Sequence, residues 1–290
     1  MRAGIVALGL AAAPAIAEPK LDYVGTFVWE RPESYFGGWS AIEVQDGGAS
    51  FIAIGDNAQI FEGSFARNGR KIAAIPKRPI GALRDIDGVP YFQKNGIKLG
   101  DSEGVALLPD GRIAISFERD HRILFYRGDE AIVRAPENPQ AVGLPLNRGV
   151  EALAVDSSGR LVAIPEAAPP GAPGFPVWRL DGERWETVFH VTRTQGFRPV
   201  GADVDPQGML FLLERAFRLI GFQNRIRRFN LDDPSSEGEV IWQPAMTEFD
   251  NLEGLSVWPD NSGGLRLTLI SDDNYQRFQE TQIVEFRLTE

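Results

Sequence analysis

One unit recurs along this chain, and the recurrence limits the possible folds more than any other feature. The stretch DSEGVALLPDGRIAISFERD at 101–120 holds two apolar runs, Val105–Leu108 and Ile113–Phe117, joined by Pro109-Asp110-Gly111-Arg112. Pro followed by Asp-Gly supplies a fixed φ and then a positive one, so the two runs are expected to fold back on each other as a hairpin. A carboxylate marks each end, Glu103 before the first run and Glu118 after the second. GVEALAVDSSGRLVAIPEA at 149–167 sets Glu151, Gly159 and Glu166 at the offsets of Glu103, Gly111 and Glu118. NLEGLSVWPDNSGGLRLTLISDDN at 251–274 repeats Glu253-Gly254, a Pro259-Asp260 turn and a terminal Ser271-Asp272-Asp273. Weaker copies lie at 38–57 and 200–215, where Ser40 and Val200 stand at the Glu position.

The landmarks Ser40, Glu103, Glu151, Val200 and Glu253 recur at a period of about 50 residues, the length of a four-stranded propeller blade. Further strand-like runs fit the outer strands of such blades: Ile123–Arg127, Pro176–Leu180, Thr187–His190, Ile226–Asn230, Val240–Trp242 and Ile283–Leu288. Sustained 3.6-residue apolar periodicity is almost absent, which argues against an α/β fold. The expected fold is therefore all-β, a single-domain β-propeller with five repeats counted and five or six blades. The ambiguity comes from the long first spacing, with an insertion at 76–100, and from the unassigned strand Leu21–Trp29, which is placed to pair with the last repeat and close the ring. A two-domain β-sandwich is the competing fold, but it gives no reason for one carboxylate to return at the same point of each unit.

Composition removes several classes of function. The chain has 290 residues and no cysteine, so disulfides, thiolate metal sites and cysteine nucleophiles are excluded. Two histidines, His121 and His190, sit in no recognisable metal spacing, and no GxSxG motif marks a serine nucleophile. A formal net charge of −10 does not suit a nucleic-acid binder, which normally carries a basic stripe. Residues 1–17, MRAGIVALGLAAAPAIA, read as a signal peptide: an early Arg, an apolar run too short to span a bilayer, and a small-x-small cleavage site ending at Ala17. Residues 18–290 then form the mature domain, expected to be exported to the periplasm or medium as a monomer without a membrane span.

A propeller turns this repetition into a place. The first strand of every blade lines the central channel, so equivalent positions converge at one mouth. Glu103, Glu151 and Glu253 would meet there, and three carboxylates repel one another unless a cation, a proton or arginines compensate. Oxygen ligands without Cys or His suit a hard cation such as Ca²⁺ or Mg²⁺. The bland alternative is that each Glu caps its own blade corner. A second periodic set, Asp56, Glu118, Glu166, Glu214 and Asp272-Asp273, ends the second strands, where carboxylates commonly cap turns. Asp272 and Asp273 form its densest oxygen cluster and join the three glutamates as candidate metal ligands. Arg119, Arg148 and Arg215 stand beside these acids, either as salt-bridge partners or as clamps for an anionic substrate.

DSEGVALLPDGRIAISFERDHRI, NRGVEALAVDSSGRL, FLLERAF and LEGLSVWPDNSGGLRLTLISDDN together resemble the phytase-like, or "esterase-like activity of phytase", family of exported bacterial proteins, from about Leu21 to the C-terminus. The resemblance implies a propeller and hydrolysis of a phosphoester or carboxyester. More distantly, the Glu-Gly strand starts are similar to gluconolactonase-like propellers, which hold a divalent cation at the channel mouth. The match there covers only Glu103, Glu151 and Glu253. Two functions are expected. In the first, a small-molecule ester or phosphoester is hydrolysed with Glu103, Glu151 or Glu253 as ligand or base and Arg119, Arg148 and Arg215 binding substrate. Its cofactor is Ca²⁺ or another hard divalent cation, with no organic cofactor. In the second, the propeller binds a ligand or protein without catalysis and its acidic ring is structural.

Overall fold

The computed structural model describes residues 19–91, 100–219 and 221–289, so the signal-peptide reading of 1–17 lies outside the described residues. Five four-stranded antiparallel sheets follow one another around a ring. Blade 1 contains β2 (Trp39–Gln45), β3 (Ser50–Gly55), β4 (Gln59–Ser64) and, after the small hairpin of β5 (Ala66–Asn68) and β6 (Lys71–Ala74), the short β7 (Gly81–Ala82). Blade 2 is β8 (Ser102–Leu107), β9 (Ile113–Phe117), β10 (Arg122–Arg127) and β11 (Glu130–Arg134). Blade 3 is β12 (Val150–Val155), β13 (Leu161–Pro165), β14 (Phe175–Asp181) and β15 (Arg184–Val191). Blade 4 is β16 (Arg198–Val204), β17 (Met209–Arg218), β18 (Gly221–Asn230) and β19 (Glu239–Trp242). Blade 5 is β20 (Leu252–Pro259), β21 (Leu265–Ser271) and β22 (Gln282–Thr289), with β1 (Lys20–Val28) as its outermost strand.

The fold is thus a five-bladed β-propeller, and the question of a sixth blade is settled by two observations. The strand near the N-terminus is not a blade of its own: β1 pairs antiparallel with β22 from Lys20↔Thr289 to Val28↔Gln282, so the two ends of the described chain close the ring. The long first spacing is taken up inside blade 1, where the β5–β6 hairpin and the approach to β7 are inserted between third and fourth strands. The hairpin also ties blade 1 to blade 5. Arg67 binds Glu285 of β22 through two parallel N–H···O bonds of 2.8 Å, the strong fork geometry of a guanidinium on a carboxylate.

Each first-to-second strand connection follows the chemistry of its turn residues. Gly111 and Gly159 adopt φ of 79° and 80°, a region costly for any residue with a Cβ. Asp110 and Asp156 accept the amides of Arg112 and Ser158 at 3.0 and 2.9 Å, fixing the turn from the side chain.

Packing explains why the blades form a ring. Apolar residues gather into five clusters, and each joins two adjacent blades. Blades 1 and 2 share Ile54, Ile115, Phe117 and Tyr126; blades 3 and 4 share Val162, Ile164, Leu210 and Leu212. Blades 5 and 1 share Trp39, Phe51, Phe61, Trp258 and Ile270, with Trp29 stacked on Trp39 at 5.0 Å. A single sheet would leave one such face wet. Each buried side chain of this size contributes roughly 1.5–3 kcal/mol, so the faces are covered only when the ring is complete.

A five-blade ring is narrow, and the innermost strands β2, β8, β12, β16 and β20 run close together. After each first-strand landmark stands a small residue: Ala41, Gly104, Ala152, Gly201 and Gly254. A Cβ added to Gly104 would lie 2.6 Å from the carbonyl oxygen of Glu151, and one on Gly201 would lie 2.5 Å from that of Glu253. The Glu-Gly pairs therefore unite two requirements, a side chain delivered to the mouth and a backbone thin enough to pass its neighbour.

Candidate functional site at the channel mouth

A β-bulge marks the start of the first strand in every blade. The register slips between Trp39 and Ala41, between Ser102 and Val105, between Val150 and Ala152, between Pro199 and Gly201, and between Leu252 and Gly254. Ser40, Glu103, Glu151, Val200 and Glu253 lie within those slips. Bulges re-aim a side chain locally and are frequent beside active sites. The five landmarks seen in the sequence are thus the five bulges of the structure.

The second-strand ends lie beside them. The amides of Asp56, Glu118, Glu166 and Asp272 donate to the carbonyls of Gly38, Asp101, Gly149 and Asn251, at 3.0, 2.9, 2.9 and 2.9 Å. In blade 4 the matching pair is Arg198↔Arg215. This corrects the repeat reading: Glu214 is one residue early, and Arg215 occupies the carboxylate position of the other blades. Glu214 instead faces away among Arg225 and Arg227, accepting N–H···O bonds of 2.7–2.9 Å.

Ten positions therefore border the mouth, and seven carry carboxyl groups against one guanidinium. The electrostatic consequences are large. Burial pushes Glu103 well above its ordinary value, and the charges of Glu151, Asp56, Glu253 and Glu118 add to the rise. Glu151 is raised by burial and Glu166, opposed by Arg215. Asp272 is pushed up to about 9 by burial and by the charges of Glu253 and Asp56. Glu118 rises to about 7 for the same first reason, although the Gly149 amide donates to it at 2.9 Å. Asp56 rises to about 6, held down in part by the Ser40 hydroxyl at 2.8 Å. The charges of Glu151 and Glu253 bear on Glu103, and that of Glu253 on Glu151.

Arg215 answers this field. It is raised by the charges of Glu253, Glu151 and Glu166, which more than offset its burial. It donates to Glu253 and, at 2.6 Å, to Asn251 Oδ1; Asn251 in turn donates to Glu253 at 2.9 Å. The other two candidate arginines are also paired: Arg119 with Asp101 at 3.0 Å and Arg148 with Glu166 at 3.7 Å.

Asp101, Glu103 and Glu118 each bring one carboxylate oxygen within 4.8 Å of the other two. An all-oxygen, multiply negative set of this kind fits a hard divalent cation. Asp272 borders the mouth, but Asp273 does not share its situation. Its oxygens accept from the amides of Gly38 and Tyr275 at 2.9 and 3.0 Å and from the Thr281 hydroxyl at 3.2 Å. It ties the 272–281 loop to blade 1 as a cap.

Several mouth residues escape a reading based on repetition. Asp101 has Gly38, Gly149, Arg198 and Asn251 as its counterparts, so nothing in the other blades flags it. Tyr275 reaches across from blade 5 to accept from Asn57 and Gln59 at 2.7 and 2.8 Å. Arg119, His121, Asn274 and Tyr275 adopt positive φ in the loops beside the mouth, a strained conformation that the sequence does not display. Deeper in the channel Asp203 rises to about 7 through burial, despite amides of Val257 and Val204 at 2.6 and 2.7 Å. Glu43 is raised by burial and by Asp203.

Residues 34–275 match the model of the phytase-like family, described as esterase-like activity of phytase. The chain belongs to that family. No curated protein matches it. Among solved structures it is similar to a PQQ-bound aldose sugar dehydrogenase from Streptomyces coelicolor, at 13% identity and TM-score 0.48 over 94% of this chain and 99% of that one. It is also similar to a putative gluconolactonase, at 15% identity and TM-score 0.45 over 94% and 93% of the two chains. A third likeness is to the Pan2 WD40 domain of Neurospora crassa, at 12% identity and TM-score 0.44 over 94% and 96%. These similarities are too distant to speak of activity. Among the described residues no helix is long and apolar enough to cross a membrane.

Proposed function

We propose that the mouth is the active site of a hydrolase acting on a phosphoester or related ester, dependent on a hard divalent cation. One observation carries the reading: Asp101, Glu103 and Glu118 bring their oxygens within 4.8 Å of one another, while burial holds Glu103 and Glu118 above the usual carboxylate range. These three residues would hold the cation, with Glu151, Glu253 and Asp272 completing the negative field around it. A divalent cation in such a site polarises the scissile group and acidifies bound water. Glu151, raised by burial and by Glu166 and opposed by Arg215, is placed to exchange a proton with substrate or water. Arg215 and Arg119 are positioned to trade a carboxylate partner for an anionic oxygen of the substrate as charge develops there. We further infer export, from the leader at 1–17; mature protein from its host then begins at Glu18.

A second reading, a binding propeller without catalysis, is favoured by one feature: Arg119, Arg148 and Arg215 are already paired with mouth carboxylates. Turnover separates the two. p-Nitrophenyl phosphate and p-nitrophenyl acetate are offered to the purified protein with Ca²⁺, with Mg²⁺ and with chelator. The hydrolase reading expects turnover that chelator removes, the cation restores and Glu103→Gln abolishes. Cation binding without turnover of either ester supports the binding reading instead.

A further inference from the structure

The mouth is not the only place where polar groups gather without partners. Between blades 2 and 3 lies a partly enclosed cavity of about 250 Å³, lined by Phe117, His121, Asn138, Ala163, Trp178 and Trp185 among others. Three of these residues bring buried polar atoms that no protein group satisfies: Trp178 Nε1, Asn138 Nδ2 and both ring nitrogens of His121. Trp178 is 1% exposed, so its N–H has no bulk water to turn to. Other polar atoms of the same walls are satisfied. The Trp185 N–H donates to the Pro136 carbonyl at 2.8 Å, and Asn138 Oδ1 accepts the Gln140 amide at 3.0 Å. A buried donor left unpaired costs on the order of 1–3 kcal/mol, and three converging on one cavity call for an occupant.

The lining identifies its chemistry. Trp178 and Asn138 can only donate from the free atoms, and a neutral imidazole adds one N–H and one lone pair. Unpartnered donors therefore outnumber unpartnered acceptors. A hydroxyl-rich ligand would bring donors of its own for which a single histidine lone pair is available. A carboxylate brings acceptors alone. The remaining walls offer flat or small apolar surfaces at Phe117, Ala163, Trp178 and Trp185, while the charged lining residues pair with one another, Arg122 with Asp120 and Arg134 with Glu137 at 3.8 Å. We propose that this inter-blade cavity is a binding site for a small organic carboxylate with a flat apolar body, its oxygens taking the N–H groups of Trp178, Asn138 and His121. The site adjoins the mouth. His121 packs on Gly149, where a Cβ would lie 2.7 Å from its Nδ1, and the Gly149 amide holds Glu118.

The test uses the whole mature chain with benzoate as probe, benzyl alcohol and toluene as controls. Titration is followed by tryptophan fluorescence, and crystals soaked with 4-bromobenzoate locate the bromine by its anomalous signal. Saturable benzoate binding is expected, tighter than either control, with bromine between blades 2 and 3. Asn138→Asp keeps the oxygen that accepts from Gln140 and sets a negative charge where the donor stood. It should weaken benzoate roughly ten-fold or more, the loss of one charge-assisted hydrogen bond, with unchanged melting. Trp178→Phe keeps a ring and removes the N–H, and should weaken benzoate in the same direction. Ordered waters alone in the soaked cavity, equal binding of toluene or benzyl alcohol, or benzoate affinity unmoved by both substitutions would each overturn the assignment. None of these readouts depends on the mouth being catalytic.

Discussion

Glu214 and Glu103 are the same side chain in opposite electrostatic situations. Glu214, 0% exposed, is enclosed by two arginines: Arg225 reaches it at 2.9 Å, and Arg227 binds both of its oxygens at 2.7 Å. Glu285 is treated in the same way by Arg67 and Arg266. Where this fold buries a glutamate for structure, it supplies two guanidinium groups. At the mouth the proportion is inverted: Arg215 pairs with Glu253, Arg119 with Asp101, and Arg148 and Arg198 with Glu166, while Glu103, Glu151, Glu118, Asp56 and Asp272 crowd beside them. The chain can compensate acids and does so a few ångströms away, so the imbalance at the mouth is a feature of that place. Such concentrations of perturbed carboxylates are characteristic of functional sites.

The largest effect expected from this contrast is at the balanced pair. Glu214→Ala should destabilise the protein by about 3–5 kcal/mol in a denaturant titration, because it leaves Arg225 and Arg227 enclosed without a counter-charge. A loss below about 1 kcal/mol would show that the network is incidental to folding. At the mouth, Arg215→Met should cost about 2–4 kcal/mol in chelator and substantially less with Ca²⁺ present, since a cation takes over part of its role. Equal costs in the two conditions would separate Arg215 from the cation site. The acids differ. Glu103→Gln replaces an acid whose ionisation its neighbours oppose, and should leave chelated stability undiminished while abolishing the response to Ca²⁺.

A smaller but more diagnostic effect is the pH profile. Asp272, Glu118 and Asp56 have folded values of about 9, 7 and 6, above their unfolded values of 3.8 and 4.5. The folded state therefore binds more protons than the unfolded one across this interval. Stability is greatest below the unfolded values and falls as pH rises from about 4 to about 9. The melting temperature of chelated protein should decline over that range, and saturating Ca²⁺ should flatten the decline. A chelated profile flat from pH 5 to 9 would mean these carboxyls are not crowded in solution.

How much of this was legible in the sequence depended on what repeats. The Glu-Gly strand starts and the Asp-Gly turns recur, so blades, ring and the convergence of Glu103, Glu151 and Glu253 could be expected before any coordinate. The closing role of Leu21–Trp29 followed from its being left over. Features that occur once were harder to read. Asp101 has no acidic counterpart, and the β5–β6 hairpin belongs to blade 1 only, which is why a sixth blade stayed open. Glu214 and Arg215 show a limit of a different kind. Adjacent residues on a strand face opposite ways, so a one-residue error in aligning repeats exchanged a buried structural acid for the mouth's arginine. Asp273 shows a third: it shares a dipeptide with Asp272, yet its oxygens are committed to joining the 272–281 loop to the Gly38 amide of blade 1.

Calorimetric titration of Ca²⁺ into chelator-stripped mature protein, in buffers of differing ionisation enthalpy, decides whether the mouth's excess of carboxylates holds a hard cation. Binding should be saturable and should release protons at pH 7, because carboxyls raised by crowding must lose them to become ligands. Glu103→Gln and Glu118→Gln should each remove the binding. An absence of heat and of proton release, in protein shown to be folded, would rule out the cation site and leave the acidic ring as blade-corner structure.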